Sequence, residues 1–346
     1  MSECLMAQRG GKYTRGRTIT DDNVTPVHFL FEQIWSADLS KNFFCSIDTD
    51  DQGNLYVSSP MGGITKLSET DGSQIWANNS SYNNMQNRAV VDKSGDIYAV
   101  YYPSFPNAGG PAQCIRKLSG IDGSEIWDKD EYASNVTVDN TGDVYVSYDS
   151  KVEKLSGING REIWDIDFPY DVYGMGVDNS GDIILLGNTV TKLSNVDKTI
   201  IWNSGTLANH VYDLAIGKNN IYATTDEGIK ILSDVDGHII STINKYRGQR
   251  FLLSDDADDL YIFRDRSPYG DVNVDADVVV DKISTINNKK YGTYVAANAD
   301  KNQGSYGLTI YNDYIYIVVD ISSQYFDGAI TIVSKCYRKN IYTIVS

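Results

Sequence analysis

Cysteine, histidine and proline are all scarce in this chain of 346 residues, with 4, 3 and 7 copies respectively. Cys4, Cys45, Cys114 and Cys336 lie far apart. They make no C-x-x-C pair and no disulfide framework, and they read as mostly buried free thiols. His28, His210 and His238 form neither H-x-H nor H-E-x-x-H, so no metal site is expected, and they read as exposed loop residues. The N-terminus shows no apolar run of signal-peptide length and no segment approaches a membrane-spanning run, so neither export by a leader nor membrane insertion is expected. Also missing are G-x-S-x-G, a P-loop and a dinucleotide fingerprint. No segment offers ten residues of helical periodicity.

Basic charge is also in deficit. Lys and Arg total 30 against 46 Asp and Glu, a formal net charge of −16. An acidic body repels phosphate backbones, so nucleic acid is excluded as a partner of the main surface. The first residues reverse this balance: Arg9, Lys12, Arg15 and Arg17 face only Glu3. Residues 1–27 therefore read as a basic, flexible arm suited to docking on an acidic surface, and 28–346 as the folded domain.

What the chain has in abundance is repetition. All five Trp residues (Trp35, Trp76, Trp127, Trp164 and Trp202) end a copy of one short phrase, at spacings of 41, 51, 37 and 38 residues. Four copies are complete: KLSETDGSQIW, KLSGIDGSEIW, KLSGINGREIW and KLSNVDKTIIW. Between them recurs a turn with Gly three residues after Asp, followed by a Tyr-bearing strand: DDQGNLYVSS from Asp50, DKSGDIYAV from Asp92, DNTGDVYVS from Asp139 and, with Ile for Tyr, DNSGDIILL from Asp178. Asp caps such a turn through its side chain, and Gly takes the left-handed conformation that closes it. Degenerate copies begin at Ile216, Asp255 and Thr309. One unit parses as strands at 135–139, 143–148, 151–156 and 161–164. Four short strands per roughly 40 residues is the signature of a propeller blade. The expectation is an all-β, seven-bladed β-propeller of four-stranded antiparallel blades. The lone N-terminal strand Phe29–Trp35 would complete the last blade and close the ring, although Asn340–Val345 also reads as a final strand.

The phrase K-L-S-x-x-D-G-x-x-I-W after a G-D-x-Y-V strand resembles the repeat of quinoprotein-type (PQQ-like) β-propellers, over four blades from about Phe44 to Trp202. The resemblance implies that each Trp docks on the adjacent blade as packing, so the Trp residues are not assigned to a site. Quinoprotein dehydrogenases usually have eight blades, a calcium beside the quinone and often a pair of adjacent cysteines. This chain has no adjacent cysteines and a shorter ring, so the expectation is a non-enzymatic branch with no cofactor and no metal. Asp48-x-Asp50-x-Gln52-Gly53 resembles the start of a calcium loop, but Ser59 stands where the closing Glu is required. It reads as a turn. Carboxylates at 255–256 and 258–259 read as turn residues that serve solubility.

Loop lengths point to function. The connections between second and third strands are long in three units: 101–112, 264–277 and 321–328. All three would emerge on one face and in neighbouring blades. They carry Tyr101, Tyr102, Phe105, Arg264, Arg266, Tyr269, Tyr325 and Phe326, the candidate partner-binding residues, to which the fourth-to-first strand loops add Tyr82, Tyr132, Phe168, Tyr170 and Tyr246. Aromatics with Arg give contact area at low entropic cost, as recognition surfaces require. The expected function is a structural or receptor- or glycan-binding component of a bacteriophage virion or similar assembly, held there by Arg9, Lys12, Arg15 and Arg17. Two other readings compete: a propeller enzyme acting on a sugar or small molecule, and an intracellular (cytoplasmic) scaffold for protein partners.

Overall fold

The computed structural model describes residues 4–7, 13–16, 29–39, 46–58, 63–78, 89–101, 114–130, 133–247, 251–254, 259–265, 278–285, 290–297, 305–321 and 330–340. Strands within a blade are lettered A to D from the innermost outward. Blade 1 comprises Ser46–Thr49, Leu55–Ser58, Ile64–Leu67 and Gln74–Asn78. Blade 2 comprises Val90–Val91, Ile97–Tyr101, Cys114–Leu118 and Glu125–Lys129. Blade 3 comprises Asn135–Val138, Val144–Tyr148, Lys151–Leu155 and Glu162–Asp167. Blade 4 comprises Gly174–Val177, Ile183–Leu186, Thr189–Leu193 and Ile200–Thr206. Blade 5 comprises Val211–Ile216, Asn220–Thr225, Gly228–Ser233 and Ile239–Ile243. Blade 6 comprises Phe251–Ser254, Leu260–Asp265, Val278–Ile283 and Lys290–Ala297. Each is an antiparallel meander with its strands in sequence order.

The expectation of a seven-bladed propeller needs correction. Six blades are each one continuous stretch of chain. The remaining four-stranded sheet is a composite of Ser305–Tyr311, Tyr314–Ile321, Ile330–Asn340 and, from the other end of the chain, Phe29–Asp38. The reason is local: its third strand runs on to Asn340, so the outermost place is filled by Phe29–Asp38, paired from Phe29↔Asn340 to Asp38↔Ile332. The alternative of a final strand at Asn340–Val345 falls, past Asn340, outside the described residues. The A strands contact one another in ring order, and the composite sheet returns to blade 1. Closure removes the open faces that a row of blades would leave at its two ends. Ahead of the ring, Cys4–Ala7 and Tyr13–Gly16 pair as a two-stranded sheet, where sequence suggested a flexible arm.

The hydrophobic core is divided among the blade interfaces. Val100 and Ile115 of blade 2 share a cluster with Val136, Val144 and Leu155 of blade 3. Leu55 and Leu67 of blade 1 share another with Tyr316, Val318 and Val333 of the composite sheet. No blade could bury its apolar faces alone, which makes the ring the stable unit. Each Trp of the repeated phrase sits at these interfaces. The indole N–H of Trp35 donates to Glu69 O at 3.0 Å, Trp76 to Gly120 O at 3.2 Å, Trp127 to Gly157 O at 3.1 Å and Trp202 to Asp234 O at 2.9 Å. In every pair the acceptor belongs to the next blade round the ring. The glycine of the D-G turn makes this docking fit: a Cβ on Gly160 would lie 2.8 Å from the Trp127 ring, and Gly160 has φ +69°.

Candidate interaction face

B–C and D–A connections emerge on one face of a propeller, A–B and C–D turns on the other. The A–B turns repeat one hydrogen-bond pattern. In blade 3, Asp139 Oδ1 accepts from the backbone N–H groups of Thr141 (2.8 Å) and Asp143 (3.0 Å). Its other oxygen accepts from the Tyr145 hydroxyl at 3.0 Å and the Lys154 ammonium at 3.2 Å. Asp50, Tyr56 and Lys66 repeat the arrangement in blade 1, and Asp92, Tyr98 and Lys117 in blade 2. The lysine is the K of the K-L-S phrase. It stacks on the tyrosine, with Lys154 Nζ 5.0 Å from the Tyr145 centroid, and reaches into the next blade, where Lys66 Nζ donates to Gly120 O at 2.8 Å and Lys117 Nζ to Gly157 O at 3.0 Å.

These clusters shift titration in a consistent way. Burial first, then the Asp charge and hydrogen bond, push the Tyr56, Tyr98 and Tyr145 hydroxyls far above the ordinary tyrosine range; burial and Glu69 do the same to Tyr316. For Asp139 burial acts upward, but donation from Thr141 and Tyr145 and the Lys154 charge outweigh it, and the carboxyl is held low. A buried carboxylate, phenol and ammonium that satisfy one another form a structural staple. Of the acidic turn, only Asp259 is among the described residues: it is buried and pairs with Lys282 at 3.0 Å, so this carboxylate packs rather than serving solubility.

The opposite face is uneven. In blades 3 and 5 the B–C hairpin closes over two residues, with pairs Tyr148↔Lys151 and Thr225↔Gly228, and in blade 4 over Gly187–Thr189. This half is flat. The three long insertions are rooted at Tyr101↔Cys114 in blade 2, Asp265↔Val278 in blade 6 and Ile321↔Ile330 in the composite sheet. With blade 1, these sheets form one continuous half of the ring.

The named candidates divide accordingly. Tyr101 is 1% exposed, with the Arg116 guanidinium 5.1 Å from its ring centroid, so it anchors the insertion from beneath and is not a rim residue. Arg264 is in strand B of blade 6, one residue before the root. Tyr102, Phe105, Arg266, Tyr269, Tyr325 and Phe326 lie outside the described residues, as do Arg9, Lys12 and Arg17, while Arg15 is in the N-terminal two-stranded sheet. Of the D–A aromatics, Phe168 and Tyr246 are buried. Tyr170 is half-buried, its hydroxyl 2.5 Å from Thr191 Oγ1. These three hold loops down instead of presenting them; Tyr82 and Tyr132 are outside the described residues. Tyr173, exposed on the flat half, was not singled out by the sequence. His210 and His238 are exposed, and Cys114 and Cys336 are buried and in no disulfide, as expected. Among the described residues no three His, Cys, Asp or Glu side chains converge to hold a metal.

No family model matches the chain, and no curated protein matches it. Solved structures do. BamB from Moraxella catarrhalis aligns over 85% of this chain and 86% of its own, at 13% identity and a TM-score of 0.52. The Pan2 WD40 domain of Neurospora crassa aligns over 88% of this chain and 95% of its own, at 9% identity and a TM-score of 0.64. This chain has the β-propeller fold, and at such identities the likeness extends to the fold alone.

Proposed function

We propose that this protein is a non-enzymatic interaction module that recognises a macromolecular partner through the insertion-bearing half of its B–C face. One observation carries the reading: the three long insertions are rooted in sheets that form one continuous half of the ring, while the other half is flat. A rigid ring with long loops on one sector is how scaffolded recognition surfaces are built. The aromatic and Arg content of these loops suits burial against a protein or a surface glycan. We place the protein in a bacteriophage virion or similar large assembly, because a basic N-terminal segment precedes the rigid ring and gives it a separate point of attachment.

The test replaces Tyr102, Phe105, Tyr269 and Phe326 together by Ala in the full chain. Capture of the native target, identified by cross-linking from infected or producing cells, should be lost while the thermal unfolding midpoint is unchanged. Normal capture by this variant overturns the assignment of the face. Reconstitution with quinone and calcium should give no dye-linked oxidation of alcohols or sugars, and turnover abolished by chelation would overturn the non-enzymatic reading.

A further inference from the structure

A second surface lies away from the insertions, on the outer rim where the C–D turns meet the D strands. Ile121, Ile158, Val196 and Val235 occupy the same turn position in blades 2 to 5 and are 84–91% exposed. The backbone N–H of each donates to the serine hydroxyl two residues earlier, at 3.2–3.3 Å, which fixes the turn. On the adjoining D strands Ile126, Ile163, Ile201 and Ile240 are also exposed. Single exposed aliphatics are ordinary, but the same apolar position left exposed on four consecutive blades is a repeated feature of the rim. Among the described residues the D strands are the outermost of each sheet, and their second hydrogen-bonding edge carries no strand.

Charge selects the occupant. Interleaved with these aliphatics in the sequence are exposed carboxylates, among them Asp122, Glu125, Glu162, Asp167, Asp197 and Asp236, against the exposed cations Arg161 and Lys198. A fitting partner is a strand or hairpin that carries aliphatic and basic side chains together. The chain contains one: residues 4–17 include Leu5, Met6, Arg9, Lys12, Arg15 and Arg17 and no acid. Its strands Cys4–Ala7 and Tyr13–Gly16 form a hairpin that already rests on D strands, contacting Phe29–Asp38 of the composite sheet and Lys290–Ala297 of blade 6. In its own chain its two strands contact blade 6 and the composite sheet, away from the rim of blades 2 to 5.

We propose that the rim of blades 2 to 5 is the docking site for the basic N-terminal hairpin of a second copy of this chain. Strand addition to a D-strand edge supplies the backbone hydrogen bonds, the exposed aliphatics the apolar contact and the carboxylates the charge complement. Arm and rim are different surfaces, so the contact is heterologous and each copy keeps a free arm or a free rim until a ring closes. The proposal uses neither the insertions nor the B–C face; it deepens the attachment reading above by naming a second copy of this chain as what the arm attaches to.

The experiment measures mass in solution by sedimentation velocity, on full-length protein. One variant carries Ile121→Asp and Ile158→Asp on the rim; the other carries Arg9→Glu, Lys12→Glu, Arg15→Glu and Arg17→Glu in the arm. The unaltered chain should self-associate with concentration and do so at least tenfold more weakly in 1 M salt, where screening lengths fall to ~3 Å. Each variant alone should be monomeric. An equimolar mixture should form a dimer, since the arm variant keeps an intact rim and the rim variant an intact arm. A monomeric unaltered chain, a variant that associates normally on its own, or a mixture that stays monomeric overturns the proposal.

Discussion

Lys198 occupies, at φ +64°, the turn position held by Gly72, Gly123, Gly160 and Gly237 in blades 1, 2, 3 and 5, and its ammonium lies 6.0 Å from the centroid of the Trp164 ring. The Trp socket is thus built to accept a residue without a Cβ, and one blade tolerates a side chain by sending it across the indole. The same substitution elsewhere should be costly. Gly160→Ala combines a left-handed backbone, ~1–2 kcal/mol for an L-residue, with a Cβ 2.8 Å from Trp127. Chemical denaturation should show a loss of about 2 kcal/mol or more, against a change of under about 1 kcal/mol for Lys198→Gly. Equal effects at the two positions would show that the socket has no steric requirement.

Lys154 should be worth more than its count of bonds suggests. It is buried beside Asp139 and Asp143, each at 3.2 Å, and donates to Asn195 in blade 4 at 2.8 Å. Removing one partner of a buried pair leaves the other uncompensated and costs roughly 3–5 kcal/mol. Lys154→Met and Asp139→Asn should each destabilise strongly, and the double variant by clearly less than the sum. Strict additivity would mean that the pair is not coupled.

Alkaline pH should unfold the ring. Tyr56, Tyr98, Tyr145 and Tyr316 have folded-state pKa values raised above the ordinary value of 10.0. A raised folded pKa on an acid means that the unfolded chain releases its proton first. The stabilisation is complete below pH ~10 and falls as pH rises beyond it. Tyrosinate absorbance and the loss of far-UV circular dichroism should therefore rise together for this group. Four phenols that ionise near pH 10 in a fully folded chain would contradict their burial. At the acid end the sign is opposite: Asp139 and Asp178 are held low in the fold, so their contribution is present above the ordinary carboxylate range and is lost as pH falls below it.

Ring closure should depend on the strand Phe29–Asp38. Deleting residues 1–36 removes most of the outermost strand of the composite sheet and the Trp35 anchor to Glu69, exposing Ile330–Asn340 as a new edge. Such a chain should aggregate on purification. A soluble and equally stable 37–346 fragment would show that the splice is dispensable.

Much of this fold was legible because its parts are local. Asp50 to Gly53 and its copies announce a capped turn, and the Trp phrase announces the blade period. The lysine of K-L-S gave no such notice. Within its own strand it looks like a solvated residue, and its burial is decided by a carbonyl 40 to 54 residues further on. The exposed Ile121, Ile158, Val196 and Val235 escaped notice for the converse reason: an aliphatic at a turn tip looks like core until the turn is seen from outside. Tyr101 was misplaced by one position, since the strand runs one residue further than the pattern indicated and takes the ring inside with it. The candidate site was legible only as loop lengths and loop composition, because long insertions carry no periodicity from which a side chain's direction can be read.

The pairing of Phe29 with Asn340 places the start of one strand beside the end of its partner. A pull between the arm and the far end of the chain would therefore act on the first rung of this ladder alone, not on all rungs at once. Under such a load the composite sheet would open like a zipper, rung by rung toward Asp38, at forces well below those that sliding the two strands past each other would need. The seam that completes the ring is thus also its mechanical release, and a protein tethered by its arm would yield there before any of the six continuous blades.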